Sequence, residues 1–378
     1  MSEPTTAAHA QVVPRGAAPP RSFLKKALSI LWLVLVNFLV FAVAAELASI
    51  VIVHLRRWPS ARPAYHLTFN TFWTDTNPVF GIWHPPNGHF LHQEGCFSVE
   101  YTTNSYGARD VERSPHSDRP RTVVLGDSII EGFGARDEDR LTNILEQRTG
   151  REHLNFGNGG GFSALQYSLL YRSLAAKFDH NRVLVSVLPD NDFHEMDKTW
   201  LERAYPGQYR PYYKDDLTVG YLGTYHSQDK EDLWERVKAV MRAYLASYHV
   251  GQYLAVTRFA KRRTYSGYND YSDVDFQRLQ TALLDIKKTA DKHGAKVYVF
   301  LVPRANDFEH ARQGINRLGP ALTSWGAEHG IPVKDLLPEM AAATHGDYGP
   351  IFLRCDDHWS PYGARLAADI VQPWMYGK

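Results

Sequence analysis

The sequence has only two cysteines in 378 residues, Cys96 and Cys355, too few for a disulfide-dense scaffold or a zinc site built from several thiolates. A single disulfide stays open to a domain outside the cytoplasm. No long run of one charge sign occurs, and the formal net charge is +1, so the basic footprint of a nucleic-acid-binding protein is missing and nucleic acid is set aside as a partner. There is no internal repeat. No glycine-rich stretch carries the Lys-Ser/Thr of a P-loop or the spacing of a dinucleotide fingerprint. With 44% hydrophobic and 22% charged residues, what remains is an enzyme-sized globular composition, with room for one large domain and additions.

One segment breaks that composition. Ala27 to Val53 carries a single ionisable residue, Glu46, and as a helix rising 1.5 Å per residue it crosses a hydrocarbon core of about 30 Å. A charge at the bilayer centre costs about 2.5–3.5 kcal/mol, but Glu46 lies toward one end of the run, where the cost falls. A buried core helix is the bland reading. A cleaved secretory signal is the serious competitor, because Ala42-Val43-Ala44 has the small-residue pattern of a cleavage site. The apolar residues continuing to Val53, and the long preceding segment, favour an uncleaved anchor. Arg15, Arg21, Lys25 and Lys26 precede the run, and Arg56 and Arg57 follow it. The modest excess on the N-terminal side favours an inside N-terminus and an outside C-terminal domain.

The chain divides accordingly. Residues 1–24, rich in Ala, Pro, Thr and Gly, read as a disordered tail, and residues 25–57 as a transmembrane anchor. Residues 58–120 mix aromatics with Pro, Gly and Asn and read as an irregular lead-in of short strands and turns. From 121 to 378 strands and helices alternate, interrupted by a Tyr-, Arg- and Lys-rich insertion at about 198–272 with a helix over Glu231 to Leu245. Strands are expected at Thr122–Leu125, His153–Phe156, Arg182–Leu188, Lys296–Val302 and Pro332–Leu336. Helices are expected from Leu141 to Gly150, Ala164 to Phe178, Phe276 to His293, Phe308 to His329 and from Pro361. Such alternation predicts α/β architecture: a three-layer sandwich with a parallel five-stranded sheet covered on both sides.

In open α/β sheets, sites form beyond the carboxyl ends of the strands. The first strand runs into Gly126-Asp127-Ser128, where a serine is either a helix cap or a nucleophile. The second ends in Asn155-Phe156-Gly157-Asn158-Gly159-Gly160-Gly161, a flexible turn or a row of bare N–H groups suited to an oxyanion. Pro189-Asp190-Asn191-Asp192 follows the third, where Asn191 offers a side-chain amide or plain turn chemistry. Before the last helix stands Cys355-Asp356-Asp357-His358-Trp359. A carboxylate beside a histidine can fix its tautomer and stabilise the imidazolium formed when it takes a serine proton. Two acids and a histidine also suit a metal, but no other His-acid cluster supplies the remaining ligands.

In their order along the chain these segments resemble the four blocks of the SGNH (GDSL-type) serine hydrolase superfamily, over roughly Asn104 to the C-terminus. The resemblance implies Ser128 as nucleophile and His358 as base. The Ser128 amide, Gly160 and the Asn191 side chain are the implied oxyanion donors. The commonest last block has an acid three residues before the histidine, where this chain has Cys355. The Asp-x-His-Trp form is similar to a membrane-associated branch that includes alginate O-acetylation proteins, which implies Asp356 as triad acid with Asp357 as alternate. The third block normally begins with glycine, and here Pro189-Asp190 stands in its place. Asn104 to Asp110 (NSYGARD) resembles a lead-in segment common in anchored members.

The fold implied is flavodoxin-like. The activity implied is that of an esterase or O-acyltransferase working through a serine acyl-enzyme on ester-linked acyl groups, acetyl foremost, of a small molecule or an envelope polysaccharide. No cofactor and no metal are required. The partners implied are the membrane, through the N-terminal helix, and a membrane-bound O-acyltransferase. The N-terminus is expected in the cytoplasm and the catalytic domain in the periplasm or outside the cell. A non-catalytic carbohydrate-binding or assembly protein on the same fold is the alternative.

Overall fold

The computed structural model describes residues 21–55, 60–67, 72–73, 75–225, 233–259 and 265–377. Most of the expected tail, together with Arg15, Arg56 and Arg57, therefore lies outside the described residues. Helix α1 (Arg21–His54) contains one stretch, Lys25–His54, long and apolar enough to cross a membrane, with a mean hydropathy of 2.6 in its most apolar window. Glu46, the one acid in that stretch, is not left unpaired. Its carboxylate accepts hydrogen bonds from Ala246 N (2.7 Å), Ser247 N (3.0 Å) and Ser247 Oγ (2.6 Å). Nearby, Val53 is buried with Ala246 and Val250, so the C-terminal end of α1 is packed on the folded domain.

The lead-in forms two antiparallel pairs, β1 (Asp75–Asn77) with β2 (Gly81–Trp83) and β3 (His89–Glu94) with β4 (Phe97–Thr102). In β4 Phe97, Val99 and Tyr101 point inward and the residues between them outward, the period of two expected of a half-buried strand. From there strands and helices alternate: β5 (Arg121–Gly126), the one-turn α2 (Ser128–Glu131), α3 (Leu141–Thr149), β6 (Glu152–Gly157), α4 (Ala164–Ser173), β7 (Arg182–Val187) and α5 (Pro189–His194). The insertion contributes α6 (Lys198–Ala204), the hairpin β8 (Arg210–Tyr213) and β9 (Val219–Leu222), α7 (Leu233–Tyr244) and α8 (Ala246–Leu254). The expected Glu231 start of its helix lies outside the described residues. The chain closes with α9 (Asp273–Lys292), β10 (Lys296–Leu301), α10 (Ala305–Arg312), α11 (Leu318–Glu328), β11 (Val333–Asp335), α12 (Leu337–Ala343) and α13 (Pro361–Tyr376).

The five expected strands form one sheet, parallel throughout, in the order β6-β5-β7-β10-β11. Val123, Val124, Val183, Val185, Val299 and Leu301 are fully buried, as strands covered on both faces must be. Helices α4 and α9 pack together, and α3 packs with α13. This is the flavodoxin-like strand order, and its reversal between β5 and β7 is where such sheets open a crevice.

Two expected helices differ. The one over Phe308–His329 is divided into α10 and α11, because Gly314 takes φ +75°, a conformation that ends a helix. Asn316 then ties Asp335 Oδ2 (2.8 Å) while accepting the Gly319 N–H (3.0 Å) at the start of α11. The helix from Ala164 ends at Ser173 rather than Phe178, and a separate 3₁₀ turn follows over Ala175–Lys177.

Candidate active site

Strand β5 delivers Asp127 and Ser128 to the carboxyl edge of the sheet beside the switch point. The cap of α2 is Asp127, not Ser128: Asp127 Oδ1 accepts the Ile129 N–H at 3.0 Å, and its Oδ2 accepts Asn191 Nδ2 at 3.2 Å. Burial raises the Asp127 carboxyl above its usual range, against these donors and the nearby His358 and Arg304. Helix α2 stops after one turn at Gly132, φ +85°, where a Cβ would stand 2.5 Å from the Arg140 stem. The chain then turns back and carries Phe133 over the site.

The last block sits on a loop held at both ends. Phe352 and Trp359 form an antiparallel bridge, Leu353 N donates to His358 O at 2.8 Å, and Cys355 is disulfide-bonded to Cys96 in the β3–β4 turn. The loop brings His358 Nε2 to 2.7 Å from Ser128 Oγ. On the other side of the ring, His358 Nδ1 pairs with Asp356 Oδ1, which also accepts the His358 backbone N–H at 2.9 Å. The imidazole is stacked on Phe133 with ring centroids 4.0 Å apart. Burial opposes ionisation of Asp356, but the attraction of His358 and its two hydrogen bonds outweigh that and hold the carboxyl at about 2. Asp357 turns away, toward Arg304 Nη1 at 4.0 Å, with its side chain 47% exposed.

The three expected oxyanion donors are placed differently from one another. Ser128 and Asn191 line one cavity with His358, of about 560 Å³. Asn191 there donates to Asp127, and Arg304 Nη2 donates to Asn191 Oδ1 at 3.4 Å. Gly160 is turned aside: its N–H donates to Asn158 Oδ1 at 3.2 Å, and Gly159 and Gly161 face the cavity in its stead. The side chain of Asn155, which opens that block, is used structurally, donating to Ile130 O at 2.8 Å and accepting from Gly157 N at 3.0 Å. Among the described residues no group of three or more His, Cys, Asp or Glu side chains is arranged to hold a metal ion.

Residues to which sequence reasoning assigned no role in the site brace this arrangement. The buried Arg109 guanidinium donates to the carbonyls of Glu131 (3.0 Å), Gly132 (2.6 Å) and Ala135 (2.7 Å), fastening the turn after Ser128, and lies 3.4 Å over the Tyr101 ring. Its neighbour Asp110 accepts the Asn155 N–H at 3.1 Å. Beneath the glycine loop the buried Glu131 pairs with His84 Nε2 at 2.7 Å and accepts Trp73 Nε1 at 2.8 Å. From the insertion, Arg210 donates to the carbonyls of Gly160 and Gly161, and Trp200, Tyr205 and Tyr265 form a wall of the cavity. The segment NSYGARD was visible in the sequence. Its contact with the turn after Ser128 was not, because that contact spans more than twenty residues.

Glu195 lines the same cavity and has a consequence for stability. Burial, reinforced by Asp127 and opposed by Arg210, pushes its carboxyl up to about 7, so the folded protein keeps a proton that the unfolded chain releases near its ordinary value of 4.5. Stability should therefore fall as pH rises from about 4.5 to about 7 and then level off, by at most about 3 kcal/mol from this group. Glu195→Gln should flatten that part of the profile, and thermal unfolding of both proteins at pH 5 and pH 8 checks it. An unchanged slope would contradict the assignment.

The disulfide gives a second expectation. Cys96 and Cys355 lie 259 positions apart in sequence, and a bond closing so long a loop is worth about 2–5 kcal/mol. Cys355→Ser should lower stability by that amount and loosen the loop that carries Asp356 and His358. Denaturant titration with and without reductant reads the effect, which should vanish in the variant.

Comparison with known proteins finds a match to part of the chain. The family model described as "SGNH hydrolase-like domain, acetyltransferase AlgX" matches residues 263–375, the stretch from α9 through α13 that includes Asp356 and His358 but not Ser128. No curated protein sequence matches the chain. Solved structures similar to it include a GDSL-like lipase from Bacteroides thetaiotaomicron (12% identity, 70% of this chain and 91% of that one, TM-score 0.37). A lipase/acylhydrolase from Enterococcus faecalis is another (14%, 68% and 96%, TM-score 0.37). So is a member of the lipolytic G-D-S-L family from Veillonella parvula (13%, 68% and 97%, TM-score 0.36). At such values these likenesses say nothing about substrate. The C-terminal part of the chain thus resembles the SGNH hydrolase-like domain of AlgX, and the five-stranded parallel sheet has the expected strand order.

Proposed function

We propose that this protein is a membrane-anchored serine esterase or O-acyltransferase that acts on ester-linked acyl groups, acetyl foremost, through a Ser128-His358-Asp356 acyl-enzyme mechanism. The observation that carries the reading is the 2.7 Å contact between His358 Nε2 and Ser128 Oγ, with Asp356 on the opposite ring nitrogen. In the first half-reaction Ser128 Oγ attacks the ester carbonyl carbon as His358 Nε2 takes its proton. The tetrahedral oxyanion collapses, and the alcohol leaves with the proton that His358 returns. In the second, His358 deprotonates water or a sugar hydroxyl, whose oxygen attacks the acyl-enzyme and regenerates Ser128. Asp356 stabilises the imidazolium and keeps Nε2 free to accept.

The Ser128 amide and the Asn191 side chain are the proposed oxyanion donors. Gly160, the third expected donor, has its N–H on Asn158 Oδ1. The aromatic wall from Trp200, Tyr205 and Tyr265 suits a sugar ring, which favours polysaccharide over a simple ester as the natural substrate. A membrane-bound O-acyltransferase is the partner this reading admits as a source of acyl groups. The Cys96–Cys355 disulfide fits a catalytic domain outside the cytoplasm, with α1 as anchor. Release of acetate from a panel of acetylated glycans and aryl esters, with and without a sugar acceptor, tests the reading. Turnover of the glycans is expected. Absence of turnover on every ester would favour a carbohydrate-binding or assembly role for the same cleft.

A further inference from the structure

Helix α7 in the insertion presents its large apolar side chains outward. Leu233, Val237, Val240 and Tyr244 follow the spacing i, i+4, i+7, i+11 and are between 39% and 75% exposed, while Ala239 and Ala243 are buried against the protein. A helix on a soluble domain normally has the reverse orientation. The segment Leu233–Tyr244 holds three cations, Arg236, Lys238 and Arg242, against one acid, Glu235, and Trp234 flanks the apolar row with 57% exposure. Basic residues beside an apolar stripe with a flanking tryptophan are the composition of a helix that lies in a lipid headgroup layer.

The position of α7 supplies the occupant of that face. Helix α8 starts directly after α7, and its first two amides are held by Glu46 of α1, while Tyr65 N donates to Ala243 O at 2.8 Å. From Ala27, just after Lys25 and Lys26, to Glu46 the helix rises about 30 Å, one hydrocarbon thickness. Glu46, and with it the C-terminal end of α7, therefore stands at the level where α1 leaves the bilayer. We infer that α7 lies on the outer surface of the same membrane, with its apolar row in the acyl-chain boundary. Two elements then hold the domain, fixing the height and tilt of the cleft whose wall the same insertion supplies. The inference rests on the reading of α1 as an uncleaved anchor.

The test uses the full chain in vesicles of phosphatidylethanolamine and phosphatidylglycerol doped with a phospholipid bearing a photoactivatable diazirine in its acyl chain. After irradiation, labelled peptides are identified by mass spectrometry. Label is expected in Ala27–Ala45 and also in Leu233–Leu245. In Val237→Glu/Val240→Glu the second signal should fall at least about fivefold while the first is unchanged, and circular dichroism should stay the same because both side chains face outward. Label in α1 with α7 no higher than the exposed face of α9 would overturn the inference and leave the anchor intact. No label in either segment would overturn the anchor reading and this inference with it.

Discussion

Ser128→Ala is expected to lower ester turnover by on the order of 10⁴-fold or more, while the unfolding free energy shifts by less than about 1 kcal/mol. In the proposed mechanism the hydroxyl supplies the attacking oxygen, and its hydrogen bond in the structure is to His358 rather than to the backbone of α2, which Asp127 caps. His358→Ala should cost a similar factor. The double variant should lose little beyond either single one, because a nucleophile without its base and a base without its nucleophile are equally idle. Steady-state kinetics on an activated aryl ester, alongside circular dichroism, measures all three. Additive losses, or retention of a tenth of the activity in Ser128→Ala, would remove Ser128 from the mechanism.

The second large effect separates the two adjacent acids. Asp356→Asn should reduce kcat/KM by on the order of 10³–10⁴-fold, since an amide at Nδ1 no longer holds the ring in the tautomer that leaves Nε2 free to accept from Ser128. Asp357→Asn should cost less than about tenfold, because that side chain is half exposed and faces Arg304 at 4.0 Å, a pairing worth little in solvent. The Asp356 carboxyl is held at about 2, mainly by His358 against the cost of burial. Its stabilising contribution is thus complete above its ordinary value near 3.8 and is lost as pH falls through about 2. The reverse ranking of the two variants would transfer the role to Asp357.

Features legible in the sequence were those encoded over a few residues. The apolar strands, the residues following each of them and the Asp-x-His spacing are all local, so the parallel sheet could be anticipated from the strand pattern, and Ser128, His358 and Asp356 from the family resemblance that these short segments carry. Which of two neighbouring acids meets the imidazole was not local. It depends on a backbone turn in which Asp356 also accepts the His358 N–H, and on Arg304, more than fifty residues away, drawing Asp357 outward. Gly160 shows the converse: counting along the block selects it, yet the orientation of its amide is set by the Asn158 side chain. The Arg109 clamp, the Glu131–His84 pair and the Glu46 cap of α8 each join segments far apart in sequence. For Glu131 and Glu46 a charge in an otherwise apolar stretch was the signal, and it named no partner. The division of α10 from α11 at Gly314 went unseen because helical spacing continues across it.

The most direct measurement is intact-mass and peptide analysis of the full chain after exposure to a fluorophosphonate, which reacts only with a serine activated by a neighbouring base. One adduct per chain, on Ser128, is predicted, with none in Ser128→Ala or His358→Ala. An unlabelled Ser128 in protein that nevertheless cleaves esters, or an adduct elsewhere, would contradict a Ser128-His358-Asp356 mechanism.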